Sequence, residues 1–436
     1  SADGSGYVGT VTLSEGNSVI RIEAADYSIL SGETGSKAVM EEYISNMHVV
    51  DRTAPVIDIS FDGPSAAAGN LYTDDRSMTV RITDKNFRPD EISFSRLSAV
   101  DFQGNAVSNF TADDFLNALK SAAWKTEGDV HSTEIVFSVD AYYEFTLEYS
   151  DLANNSAVPC QGAPFGIDKN GPSSLRIVYE SNAVDMVSDT VSFGYYNPSV
   201  TVRIYAEDII TGIDHFNWIY TPEEGTDTTL NAGIISEQID CTDSGHFFYE
   251  NNGRTAVGEF TLTADEFVQY RGKLSFTATD KAGHISGVHY GNGAARDKDG
   301  NLQDTGSEHV VVLDTVAPLC RVTCPEPQKT IEEDAGSTIY YDGTCGDIIP
   351  ITLKITEANF YGEDVVVKLN DSDYMVEDWT QDGNEWTGTI RITEDGTYVI
   401  RISYMDRSGN NMPDYQSERI VIDRAAPRID RYEFTP

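Results

Sequence analysis

The segment "ARDKDGNLQDTG", Ala295 to Gly306, is the stretch whose spacing comes nearest to a metal-ligating loop. With Gly300 at the sixth position, where a calcium loop turns sharply, Asp297 and Asp299 fall at positions three and five. Position one is Ala295 and position twelve is Gly306, so the first carboxylate and the bidentate acid are both missing. Asp297, Asp299 and Asp304 therefore make a weak calcium set beside the plainer reading of a solvated turn, and no other cofactor is expected. The chain holds five cysteines, an odd number, so at least one has no partner within it. Cys320 and Cys324 lie on one strand and Cys345 precedes the next, which in an antiparallel pair favours a Cys324–Cys345 disulfide over Cys320–Cys345. Closing that loop would add roughly 3 kcal/mol on the chain-entropy account. Cys160 and Cys241 fall in different repeats and read as free thiols, and what they or Cys320 pair with stays open. With no His at ligand spacing nearby, a three-Cys metal site is not expected.

Catalytic chemistry finds little support. There is no Gly-x-Ser-x-Gly elbow, no His-Glu-x-x-His, no phosphate-cradling glycine loop and no dinucleotide fingerprint. Carboxylates are plentiful, but nothing in the spacing sets two of them across a cleft as a glycosidase needs. The expectation is a chain that is not an enzyme. Lys and Arg total 30 against 71 Asp and Glu, a net charge of −41. That field repels phosphate backbones and anionic headgroups, so neither nucleic acid nor direct membrane insertion is expected. No apolar run approaches the ~20 residues of a membrane span, and the N-terminus shows no signal segment, so the chain reads as an excised or processed piece.

The elements that carry these residues repeat along the chain. "VVDRTAPVID" at Val49, "GIDKNGPSSL" at Gly166, "VLDTVAPLCR" at Val312 and "VIDRAAPRID" at Val421 each set a Pro four residues after an Asp. These aspartates, Asp51, Asp168, Asp314 and Asp423, are 117, 146 and 109 residues apart. Upstream of each lies an alternating apolar segment ending in a polar turn: "VIRIEAADYS" to Ser28, "FTLEYSDLANN" to Asn155, "LSFTATDKAGH" to His284 and "VIRISYMDRSGNN" to Asn411. A third alternating segment opens each unit: "SMTVRITDKNF" from Ser77, "SVTVRIYAEDI" from Ser199 and "PITLKITEANF" from Pro350. Period-two alternation marks half-buried strands. About seven short strands per ~110 residues, separated by turn signals, indicate immunoglobulin-like sandwiches. Pro needs no amide donor at the start of a first strand and stiffens what precedes it, so Pro55, Pro172, Pro318 and Pro427 mark domain joints.

The pairing of Y-x-D-x-x-G-N with a following [IVL]-D-x-x-A-P, together with IT-[DE]-x-NF, resembles the bacterial immunoglobulin-like repeats of large Gram-positive cell-surface proteins. The resemblance covers nearly the whole chain, although the interval from Asp168 to Asp314 lacks the NF. It implies an all-β architecture of tandem immunoglobulin-like β-sandwiches, arranged as an elongated rod with short helical insertions. The units are 1–52, closing strands only; 53–168, with a helical insertion near 111–124; 169–314, with long loops; 315–423; and 424–436, the start of a further unit.

Within this frame, Tyr398 in "EDGTYVIRI" and Tyr143, in register with it, occupy the tyrosine-corner position, where a phenol bonds backbone upstream. "TADDFLNALKSAAW" from Thr111 has helical spacing behind a capping-box-like Thr111–Asp114, and "TADEFVQY" from Thr263 repeats the device. In "HFNWIY", Phe216, Trp218 and Tyr220 share one strand face and read as core. The doublets Tyr142–Tyr143, Tyr195–Tyr196 and Tyr340–Tyr341 put one ring on each face, so their outward members are candidates for partner contact. The functional expectation is a non-catalytic extracellular segment, on a bacterial cell surface, that binds a host or environmental protein or glycan, an immunoglobulin among them. The alternatives are a passive stalk and an accessory region of a secreted carbohydrate-active enzyme. A monomer is expected.

Overall fold

A computed structural model describes residues 8–26, 38–39, 41–63, 66–180, 194–225, 231–290, 295–296, 302–303, 310–333 and 336–433. The calcium candidates Asp297, Asp299 and Asp304 lie outside the described residues. Two compact units divide the chain, the first made chiefly of Ser1–Asn170 and the second of the chain from Gly171 on.

In the first unit, the alternation of "SMTVRIT" becomes the strand Arg76–Thr83, whose Met78, Val80 and Ile82 are wholly buried. It pairs antiparallel with Val56–Asp62 on one side and Val130–Phe137 on the other, with Lys125–Glu127 at the edge. The opposing sheet runs Ile92–Val100, Ala141–Tyr149, Phe165–Ile167, Leu71–Tyr72, the last pairing being parallel. Tyr143, Phe145, Leu147 and Tyr149 alternate inward; Tyr143 and Phe145 meet Phe137, which stands edge-to-face with Phe165 at a centroid distance of 5.2 Å. Two sheets, antiparallel but for that last pairing, closed face to face over this aromatic core make an immunoglobulin-like sandwich. The expected helix forms over Ala112–Ser121: Thr111 accepts the Asp114 amide at 3.2 Å, and Leu119 is buried. Ahead of the sandwich, Gly16–Ser18 pairs with His48–Val50 and Arg21–Ile22 with Tyr43–Ile44, and Ile22 and Tyr43 stay half exposed.

The second unit holds two further sandwiches. One closes Phe247–Glu250, Thr255–Thr263, Ser199–Glu207 and Ser173–Glu180 against Ile235–Asp240, Ile213–Pro222, Tyr270–Asp280, Val311–Leu313 and Tyr195–Tyr196. Phe216, Trp218 and Tyr220 all face its core, and Trp218 stacks flat on Phe260 at 3.9 Å. The other sets Leu319–Thr323, Ile349–Thr356, Glu385–Ile392 and Thr380–Asp382 against strands that include Val366–Leu369, Ile400–Ser403, Gly336–Tyr341 and Arg419–Ile422. Its core is mostly isoleucine. Pro55, Pro172 and Pro318 each immediately precede a first strand, at Val56, Ser173 and Leu319, whereas among the described residues no strand follows Pro427. Among the described residues, no helix is long and apolar enough to cross a membrane.

Two expectations fail. "TADEFVQY" makes no helix: Asp265 Oδ1 accepts the amides of Phe267 (2.8 Å) and Val268 (2.9 Å), and Gln269 is already bridged to Asn231. A turn thereby satisfies the donors that a first helical turn would need. The Cys324–Cys345 disulfide is also absent, all five cysteines being free thiols. The antiparallel register places Thr323 opposite Thr352, so Cys324 runs past Ile351 while Cys345 sits in a separate turn, Gly343–Cys345, ahead of Ile349–Thr356. There the Cys345 thiol lies 2.8 Å from Gln328 Oε1.

Candidate functional site

The three repeated segments converge at the joints. At the joint between the two sandwiches of the second unit, Asp314 comes from the D-x-x-x-P phrase, Glu357 from "ITEANF" and Asp406 from "DRSGN". Each offers a carboxylate oxygen, and these oxygens lie within 4.8 Å of one another. Within the first unit, Asp51, Asp84 and Asp151 occupy the same three motif positions and make the same group. The sequence reading gave these acids only turn and linker roles; the recurrence of an acid at all three motif positions was the signal available.

Local chain geometry aims them. In "DRSGN", Gly409 takes a left-handed φ of 85°, and the loop folds back so that the Asn410 amide donates to Asp406 Oδ1 at 2.8 Å. Asn410 Nδ2 then bridges Asp406 Oδ2 (2.8 Å) and the Asp314 carbonyl (3.0 Å). Asn155 does the same in the first unit, reaching Asp151 Oδ2 at 2.8 Å and the Asp51 carbonyl at 3.1 Å. The Asn of the NF motif supplies the second clamp: Asn359 donates its side-chain amide to Asp314 Oδ2 and its backbone amide to Glu357 Oε1 (2.7 Å). Asn86 matches it on Asp51 Oδ2 (2.7 Å) and Asp84 Oδ1 (3.2 Å). Where these two loops have Asn155 and Asn410, the intervening repeat has His284, whose Nδ1 is 2.9 Å from Asp280 Oδ2.

Asp314, Glu357 and Asp406 are 3%, 4% and 2% exposed, and among the described residues none of the six joint carboxylates makes a salt bridge. Burial, compounded by the adjacent Asp314 carboxylate, pushes Glu357 up to about 8. Burial raises Asp406 to about 6 and raises Asp314 as well. Asp51 differs: the Thr53 amide and then the Asn86 side chain hold it below the usual carboxylate range. Like charges this close and this dry need either protons or a cation between them. The donors are all oxygen, which suits a hard divalent ion. Oxygens bound to one calcium at 2.3–2.6 Å stand at most ~5 Å apart, a spread that the clusters meet. Both clusters also open onto clefts: one of about 300 Å³ bordered by Asp51, Asp84 and Asn86, and one of about 990 Å³ bordered by Asp314, Glu357 and Asn359.

The two sandwiches of the second unit are further held by Tyr195 hydroxyl to Tyr361 hydroxyl, by Asn197 Nδ2 to Asn410 Oδ1 (2.7 Å), and by Arg271 Nη1 to Asn359 Oδ1 (2.9 Å). Tyr143 donates to the Val139 carbonyl at 2.6 Å and Tyr398 to the Glu394 carbonyl at 3.0 Å, both four residues upstream. Of the tyrosine doublets, Tyr143, Tyr196 and Tyr341 are buried, while Tyr142, Tyr195 and Tyr340 are half-buried.

No protein-family signature matches the chain, and no curated protein matches it. Among solved structures it is similar to a crystal structure of an ICAM-5 D1–D4 ectodomain fragment, at 10% identity and a TM-score of 0.38 over 85% of this chain and 77% of that one. A marsupial T cell receptor is similar at 10% identity and a TM-score of 0.24, over 84% and 98%. At these scores the likeness adds nothing to the immunoglobulin-like sandwiches already evident in the strand order.

Proposed function

We propose that this chain is a non-catalytic, extracellular segment of a bacterial surface protein, in which calcium bound by the joint carboxylates stiffens the succession of sandwiches that presents a binding surface to a host or environmental macromolecule. The observation that carries the reading is the buried triad Asp314–Glu357–Asp406, repeated by Asp51–Asp84–Asp151. One carboxylate of each triad comes from the linker and two from the sandwich that follows, so an ion bound there ties the two together. Oxygen-only ligation selects calcium or magnesium over softer metals. A cluster that already places its carboxylates, and must not shrink to a strict octahedron, favours calcium. The divergent loops, such as Asn105 to Trp124, are where recognition would be grafted on such a scaffold.

Isothermal titration of the chelator-treated chain with calcium tests the reading. Saturable binding is expected, with one site lost in Asp406→Asn and another in Asp151→Asn. Heat no larger than that of dilution, or binding unchanged in both variants, would remove the cation from the proposal. Recovery of a serum or mucus glycoprotein on the immobilised chain, lost on removing calcium, is the outcome expected of a binding segment; a chain that binds calcium but recovers nothing is a spacer.

A further inference from the structure

Among the described residues, the cleft of about 990 Å³ beside the second-unit triad is bordered by five carboxylates, Glu223, Glu224, Asp314, Glu357 and Asp382, and by one cation, Arg271. Arg271 is already engaged: its Nε bonds Glu223 Oε2 at 2.8 Å and its Nη1 bonds Asn359. Asp314 and Glu357 belong to the triad. Glu224 and Asp382 remain. Both are exposed, and neither makes a side-chain hydrogen bond or salt bridge among the described residues. On the same cleft lie Phe360 and Trp386, half-buried and stacked with ring centroids 4.8 Å apart at 24°.

We propose that this cleft receives an arginine side chain of a partner protein. Two unpaired carboxylates beside an aromatic wall match the two properties that separate guanidinium from ammonium: a planar face that stacks on indole, and a fork of donors that bridges carboxylates. The same joint already uses that chemistry internally. The Arg407 guanidinium carbon sits 3.4 Å from the Tyr361 ring centroid while its nitrogens bond Asp364 (2.9 Å) and Glu363 (3.0 Å). The chain's net charge of −41 speeds the approach of a basic partner without deciding where it docks. The inference does not rest on a cation in the triad, because Glu224 and Asp382 lie outside it and, among the described residues, make no side-chain hydrogen bond or salt bridge.

The probe is the peptide acetyl-Gly-Arg-Gly-amide, titrated into the whole chain in calcium and again in chelator, with tryptophan fluorescence as the readout. Saturable quenching is expected in both. The double variant Glu224→Gln/Asp382→Asn should weaken it at least about tenfold, the scale of one or two charge-assisted hydrogen bonds. Trp386→Phe, which removes the reporting indole and is therefore read by isothermal titration, should weaken binding less. A control pair on the exposed face of the first sandwich, Asp62→Asn/Glu134→Gln, should change nothing. All four exchanged acids are exposed, and a melting curve confirms that each variant folds. The proposal is overturned if quenching fails to saturate, if the citrulline or lysine analogue binds as well as the arginine peptide, or if the control pair loses as much as the cleft pair. That last result would show a field effect of the whole acidic surface.

Discussion

Glu357→Gln separates the two ways in which the triad can be neutralised. In a chelator the only counter-charge is a proton. Because burial and Asp314 raise Glu357 to about 8, the folded state holds that proton far more tightly than the unfolded chain, where a glutamate titrates near ~4.3. A raised carboxylate pKa means that stability is greatest at low pH and is lost as pH rises from ~4.3 towards about 8. The limiting slope is about 1.4 kcal/mol per pH unit, so the third sandwich should lose a few kcal/mol between about pH 5 and pH 8. For a domain of ~100 residues each kcal/mol corresponds to roughly 4–8 °C. Gln has nearly the same shape and no charge, so in chelator at about pH 8 the variant should melt above wild type by on the order of 10 °C, the gap closing towards pH 5. Calcium at about 100 times its Kd should stabilise wild type by about 2.7 kcal/mol and the variant by much less. Calcium therefore closes most of the gap that the chelator opens between the two proteins. Scanning calorimetry of the whole chain reads both arms. Parallel pH slopes in the two proteins, or equal calcium shifts, would refute the argument that these carboxylates are uncompensated.

Tyr143→Phe should destabilise the first sandwich by about 1–2 kcal/mol, because its 2.6 Å bond to Val139 is made by a nearly fully buried ring, and Tyr398→Phe should cost less because its ring is more exposed; urea unfolding midpoints check the order. Asn410→Ala, which removes the bridge between Asp406 and the Asp314 carbonyl, should lower the melting temperature of the second unit by several degrees and weaken calcium binding. All five cysteines should alkylate under denaturing, non-reducing conditions, and a cross-linked Cys324–Cys345 peptide in the digest would contradict the free thiols seen here.

Much of the fold was legible because it rests on period-two alternation. Met78, Val80 and Ile82 are buried for the reason the pattern suggested, and Phe216, Trp218 and Tyr220 share one inner face. Pro55, Pro172 and Pro318 stand one residue ahead of a strand, where no amide donor is needed. Local devices were less legible where two satisfied the same donors. Thr111 and Thr263 open similar phrases, yet only the first starts a helix, since after Thr263 the side chain of Asp265 and the bridge to Asn231 take the backbone first. The cysteine spacing was compatible with a disulfide, and Cys345 does precede the strand Ile349–Thr356 as expected, but it lies in the turn Gly343–Cys345 with its thiol on Gln328, and all five cysteines are free thiols.

The joint acids were the hardest part to see, and the reason is physical. Asp-x-x-Gly-Asn has a complete local explanation, since its Oδ1 is consumed by the amides of its own turn, as Asp406 shows with Asn410. Only the second oxygen faces the joint, and its neighbours, Glu357 and Asp314, stand tens of residues away in sequence. Each acid taken singly is an ordinary turn or strand-end residue. What marks them is that three ordinary positions carry acids together at the Asp51 and Asp314 joints, although a buried carboxylate without a counter-charge is costly. Turn formation needs an Asp at one of these positions; it does not need Glu357 at 4% exposure facing two more carboxylates. An arrangement that opposes stability in isolation and recurs from the same motifs is what the proposed cation would complete, by neutralising the linker acid together with those of the sandwich that follows.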